Sequence, residues 1–192
     1  MQRKIRFAKT LSTVGHPLIL GNIYVIGMSF HKMETTPAIW VSGLTLILVT
    51  VPIIWHNLRK MKNGKYSNFD VSDHDQRKSF YPFAIALFVL LSVLFYFLPI
   101  PESVTYQTLN FLLMLVLMAG INISLKASLH AGIAFYIALS LTQIHVILGL
   151  ILFLLAIAIS WSRKVSGRHS MAELIVGGSV GVIFGTISLF IL

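Results

Sequence analysis

Residues 82–98 and 104–123 run without a single acidic, basic or histidine side chain. An α-helix rises 1.5 Å per residue, so about 20 apolar residues carry it across roughly 30 Å of bilayer hydrocarbon. Comparable apolar runs cover residues 14–30, 38–55, 131–161 and 170–192. Only 11% of the chain is charged and its mean hydropathy is +0.84, whereas a soluble domain carries about a quarter charged residues. A soluble globular fold is therefore excluded, and the pattern predicts an all-α, polytopic transmembrane helical bundle. The longest polar stretch, residues 57–79, is only a loop, so residues 1–192 read as a single integral membrane domain.

The block at 131–161 is longer than one crossing needs and has a polar midpoint at Thr142-Gln143. Split there, it gives seven spans; unsplit, six. Lysine and arginine collect on the cytoplasmic side of membrane proteins, which tests the division. With the split and the N-terminus inside, Arg3, Lys4, Arg6, Lys9, Arg59, Lys60, Lys62, Lys65, Arg77, Lys78, Lys126, Arg163, Lys164 and Arg168 all fall inside, and only Lys32 falls outside. The basic start followed by an apolar run resembles a signal peptide, but it lacks a small-residue cleavage site, so a retained first helix is expected. The expected location is a cell membrane of bacterial type, with the C-terminus outside.

A net charge of +9 is compatible with nucleic acid, but the basic residues lie between hydrophobic spans and do not form an exposed patch interleaved with aromatics. Nucleic acid is thus not an expected partner; membrane lipids are. The absence of cysteine removes disulfide and thiolate chemistry. Gly177, Gly181 and Gly185 repeat every four residues on the last helix, a spacing that serves close helix packing.

Polar residues gather at three helix starts on the expected inner face. Helix N-termini attract anions and disfavour bare cations, so basic side chains gathered there point to phosphate. Arg77 and Lys78 lie in the first such segment. In the second, Lys126, Ser128 and His130 fall within five residues; a helix beginning near Lys126 would set Lys126 and His130 on one face. A snorkelling lysine beside an interfacial histidine is the alternative. In the third segment, His169 and Glu173 stand at i and i+4, so the carboxylate can hold one imidazole nitrogen and leave the other to attack. A structural His-Glu pair capping the helix is the alternative there.

Ser162-Arg163, five residues, His169, three residues, Glu173 resembles the third motif of the type 2 phosphatidic acid phosphatase superfamily, with glutamate in place of aspartate. Ala127-Ser128-Leu129-His130 is similar to that family's second motif in its serine and histidine. Aligning the first motif on Pro82 puts Tyr81 and His74 where arginine and lysine are expected, with Arg77 and Lys78 nearby. The resemblance covers roughly residues 70–185. It divides the chain into N-terminal helices and a loop (1–64) and a phosphatase-like core (65–192).

The resemblance implies hydrolysis of a lipid phosphomonoester or an isoprenyl phosphate or diphosphate, through a phosphohistidine and without a metal or other cofactor. It makes His169 the nucleophile, Glu173 its orienting carboxylate and His130 the general acid. Arg163, Lys126 and Ser128, with Arg77 and Lys78, would hold the phosphate. A silent relative that binds lipid phosphate or a partner is the rival reading, and a transporter is a third. His16 and His145 read as packing or helix-helix bonding. The Asp73-His74-Asp75 triplet reads as a solvated loop, and Trp40, Trp55 and Trp161 as interfacial anchors.

Overall fold

A computed structural model of the chain describes residues 2–191, and among these it is all-helical, with no strand. The basic start is itself a helix, α1 (Gln2–Val14), with Ala8 and Ser12 on its buried face. Pro17 disfavours helical backbone at His16, and α2 (Pro17–Lys32) begins there at a 41° bend. Helix α3 (Thr35–Thr45) passes through a π-type turn, Leu46–Thr50, into α4 (Val51–Lys62). Two helices follow, α5 (Arg77–Phe97) and α6 (Glu102–Ile121). Pro99 and Pro101 separate them, where neither ring allows the first helix to continue.

Helix α7 (Leu129–Ser140) ends in a 3-10 turn at Leu141–Gln143, before α8 (Val146–Val165) and α9 (Met171–Ser188). The break therefore falls at the polar midpoint read from the sequence. Gln143 donates to the Ser188 carbonyl at 2.6 Å, and His145 caps α8 by accepting from Ile147 N–H at 3.2 Å. Among the described residues five helices are long and apolar enough to cross a membrane: Thr35–Lys62, Arg77–Phe97, Glu102–Ile121, Val146–Val165 and Met171–Ser188. The bent α1–α2 pair makes six. Leu129–Gln143 is shorter than these, so the seven-span division exceeds what helix length supports. On α8, Ile147, Leu150, Ile151 and Leu154 are all exposed; their i, i+3, i+4, i+7 spacing forms one apolar stripe, as a lipid-facing helix needs.

Two compact units divide the chain, Met1–Tyr24 with Ile123–Leu192, and Val25–Asn122. In the first, successive glycines on α9 meet successive turns of α7. A Cβ at Gly177 would lie 2.8 Å from Ser128 N, one at Gly181 2.8 Å from the Gly132 carbonyl carbon, and one at Gly185 3.0 Å from the Tyr136 carbonyl oxygen. Both series rise together, so α7 and α9 run parallel. The glycine repeat thus serves the close helix packing that its spacing predicts. Against α8 the order reverses: Gly149 faces Ala138, and Phe135 and Phe153 pack at 4.9 Å between ring centres. Ala134, Ala156 and Ile159 form the core of this seam. The starts of α7 and α9 and the end of α8 consequently share one end of the unit.

In the second unit, Phe88 and Phe111 join α5 to α6 at 4.9 Å. The loop between α4 and α5 is tied at several points. Asn57 Nδ2 donates to the Phe69 carbonyl at 3.1 Å, and Tyr66 Oη bonds Ser79 Oγ at 2.9 Å. Val71 adopts φ +48°, a left-handed conformation that a β-branched residue rarely takes.

Candidate functional site

The polar end of the first unit is built by helix caps. Ser170 and Glu173 form a capping box at the start of α9: Glu173 N–H donates to Ser170 Oγ at 3.3 Å, and Ser170 N–H to Glu173 Oε2 at 3.1 Å. The same Oε2 stands 2.8 Å from His169 Nδ1. Since a carboxylate only accepts, Nδ1 is the donor of this bond. Lys126 Nζ lies 3.9 Å from that oxygen. Glu173 therefore both caps the helix and contacts the histidine. Glu173 also explains how cations tolerate a helix start, because it places negative charge between them and the dipole.

Ser128 is the N-cap of α7, its Oγ accepting from Ala131 N–H at 3.4 Å. Its own N–H donates to the Glu173 carbonyl at 2.9 Å. This backbone link brings the second and third polar segments together. It also corrects one expectation: because the helix starts at Leu129, Lys126 lies outside it and does not share a helical face with His130. Lys126 reaches α9, whereas the buried His130 packs edge-on against His16, with ring centres 5.3 Å apart.

Arg163, in the last turn of α8, is 1% exposed and donates from Nη1 to Ser12 Oγ of α1 at 2.7 Å. Ser12 is a partner that the sequence does not single out, whereas His16, expected to serve packing or helix-helix bonding, does pack on His130 of α7. Their four-residue spacing in a weakly polar segment was the available signal. His16 accepts from Leu18 N–H through Nδ1 at 3.2 Å, so it caps α2, as His145 caps α8. His16 both caps and packs, whereas the exposed His145 caps α8 and is not the packing residue expected of it.

Arg77 and Lys78 belong to the second unit, where each has a local partner. Buried Arg77 donates from Nε to the Val71 carbonyl at 2.9 Å, and exposed Lys78 pairs with Asp75 at 2.7 Å. That contact holds the Asp75 carboxyl below its ordinary range. His74 Nε2 bonds the Asn122 carbonyl, which removes the Asp73-His74-Asp75 triplet from the simple solvated loop expected.

No family model, curated protein or solved structure matches the chain.

Proposed function

We propose that the chain is an integral membrane lipid phosphatase that hydrolyses a lipid phosphomonoester, or an isoprenyl phosphate or diphosphate, through a phosphohistidine and without a metal. The observation that carries this reading is His169 Nδ1 held 2.8 Å from Glu173 Oε2, with Lys126 Nζ 3.9 Å from the same oxygen. A carboxylate on one ring nitrogen raises the nucleophilicity of the other. In the proposed reaction Nε2 of His169 bonds to phosphorus as the bond from phosphorus to the leaving oxygen breaks, and His130 gives that oxygen a proton. Water then attacks the phosphohistidine, His130 takes its proton, and inorganic phosphate leaves with His169 restored. Arg163, Lys126 and the Ser128 hydroxyl supply positive charge and donors to the phosphate oxygens. The antiparallel packing of α7 on α8 keeps Lys126, Arg163 and Lys164 at one end of the unit, and the positive-inside rule applied to these residues supports a cytoplasmic site.

The full chain in detergent, with EDTA present, is to be assayed for phosphate release from phosphatidic acid, phosphatidylglycerophosphate, and isoprenyl phosphates and diphosphates. Wild type is expected to release phosphate, and His169→Ala to release none while keeping its helical circular dichroism. Silence across the panel, with and without added metal, would overturn the reading. One observation favours a second reading, a lipid-phosphate binder without turnover: the His169 side chain is 0% exposed. Saturable vanadate binding in a chain that releases no phosphate would select it.

A further inference from the structure

The second unit carries a cavity of about 240 Å³ at the end of α4, lined by Trp55, His56, Arg59, Lys60, Asn63 and Lys65. Three of the six are cations and none is acidic. Among the described residues no carboxylate pairs with Arg59, Lys60 or Lys65. We propose that this cavity binds the phosphate of an anionic membrane lipid headgroup.

The local sequence builds the cavity. Gly64 takes φ +68°, and the end of α4 closes as a Schellman motif: Gly64 N–H bonds the Met61 carbonyl at 3.0 Å, and Lys65 N–H bonds the Lys60 carbonyl at 2.8 Å. The turn folds Lys65 back beside Lys60. Arg59 lies over the Trp55 ring, its guanidinium carbon 5.1 Å from the centre, and Lys60 Nζ lies 5.9 Å from the centre of Tyr66. A guanidinium held by a cation–π contact makes no hydrogen bond to the ring carbons and keeps its planar fork of donors for phosphate oxygens. The floor is fixed, because His56 stacks on Phe83 at 4.1 Å and bonds Tyr66 Oη at 3.2 Å.

Position favours a lipid as the source of the phosphate. Helix α4 ends the candidate span Thr35–Lys62, and Ile54, Trp55 and Leu58, just before the basic turn, are all exposed. Exposed tryptophan marks the headgroup level of a membrane helix, and clustered lysine and arginine immediately beyond it attract anionic lipid. This inference is independent of the phosphatase proposal.

The test uses the full chain in phosphatidylcholine nanodiscs, titrated with dioctanoyl phosphatidylglycerol, an anionic phosphodiester outside the proposed hydrolysis, and read by tryptophan fluorescence. A saturable change is expected, absent in Trp55→Phe. Arg59→Gln/Lys65→Gln is expected to weaken binding by at least about tenfold, while Arg3→Gln/Lys164→Gln, an equal loss of charge elsewhere, leaves it unchanged. No saturable response, a smaller loss in Arg59→Gln/Lys65→Gln, or an equal loss in the charge control would overturn the proposal. Inorganic phosphate is the second arm: displacement of the lipid at equal concentration would overturn the headgroup assignment in favour of free phosphate, whereas the proposal expects none.

Discussion

The backbone N–H of Ser128, the cap of α7, donates to the carbonyl oxygen of Glu173 in the first turn of α9 at 2.9 Å. Gly177 makes this approach possible, since a Cβ there would lie 2.8 Å from Ser128 N. Both partners are backbone, so neither can swing away. Gly177→Ala is expected to force the two helix starts apart and to cost about 1–3 kcal/mol, the usual range for overpacking. The measurement is thermal unfolding in detergent, with Gly120→Ala as control because nothing lies within 4 Å of a Cβ at Gly120. An unchanged midpoint in Gly177→Ala would remove this close approach from the description of the unit.

Separate substitutions resolve the two roles of Glu173. Ser170→Ala removes one half of the capping box and is expected to cost about 1 kcal/mol of stability, with little effect on turnover. Glu173→Gln keeps an acceptor oxygen but loses the charge facing His169 and Lys126. If the phosphatase proposal holds, phosphate release falls by about 10² or more in Glu173→Gln, far beyond its loss of stability. Equal effects of the two substitutions on release would assign Glu173 to capping alone.

Much of the fold was legible because membrane spans announce themselves by length and charge. Four of the five long runs after residue 30 correspond to α3–α4, α5, α6 and α9, and in the fifth the Thr142-Gln143 midpoint marks the break before α8. Other features were illegible for physical reasons. Ser12 and His16 precede Pro17, and their partners Arg163 and His130 lie far away in sequence, so only packing reveals the pairs. The i, i+4 relation of His169 and Glu173 was readable because both ends of the contact sit on adjoining local structure. That of Lys126 and His130 failed because Ser128, a strong N-cap type, starts the helix two residues after Lys126. Shortness also misled: Leu129–Gln143 is apolar all round because protein buries it on α8 and α9, which hydropathy cannot tell from burial in lipid.

Arg163 is buried, and its bond to Ser12 Oγ ties α8 to α1. Removing the partner of a buried charge-assisted bond costs about 1.5–3 kcal/mol. Ser12→Ala is accordingly expected to destabilise by about that amount. Arg163→Ala should cost more, because it also vacates space in the α1–α8 seam. The double variant should be less destabilised than the sum of the two. Strict additivity in thermal unfolding would mean that the contact contributes nothing.

Tyr66 gives the chain an alkaline limit. Its phenol is buried beside α4 and α5, bonded to His56 Nε2 at 3.2 Å and Ser79 Oγ at 2.9 Å. Burial raises its pKa above the ordinary value, although the bond to Ser79 opposes the shift. Because the folded state holds this proton more tightly than the unfolded one, the contribution is present in full below about pH 10, the unfolded value. It disappears as pH rises through the higher folded value. The stability difference between wild type and Tyr66→Phe should therefore be constant from about pH 7 to about pH 9 and shrink above about pH 10. Thermal unfolding of both proteins across that range, with phenolate absorbance followed in parallel, is the measurement. A difference that stayed constant into the alkaline range would show that Tyr66 ionises without penalty, and that the loop is held by its other ties alone.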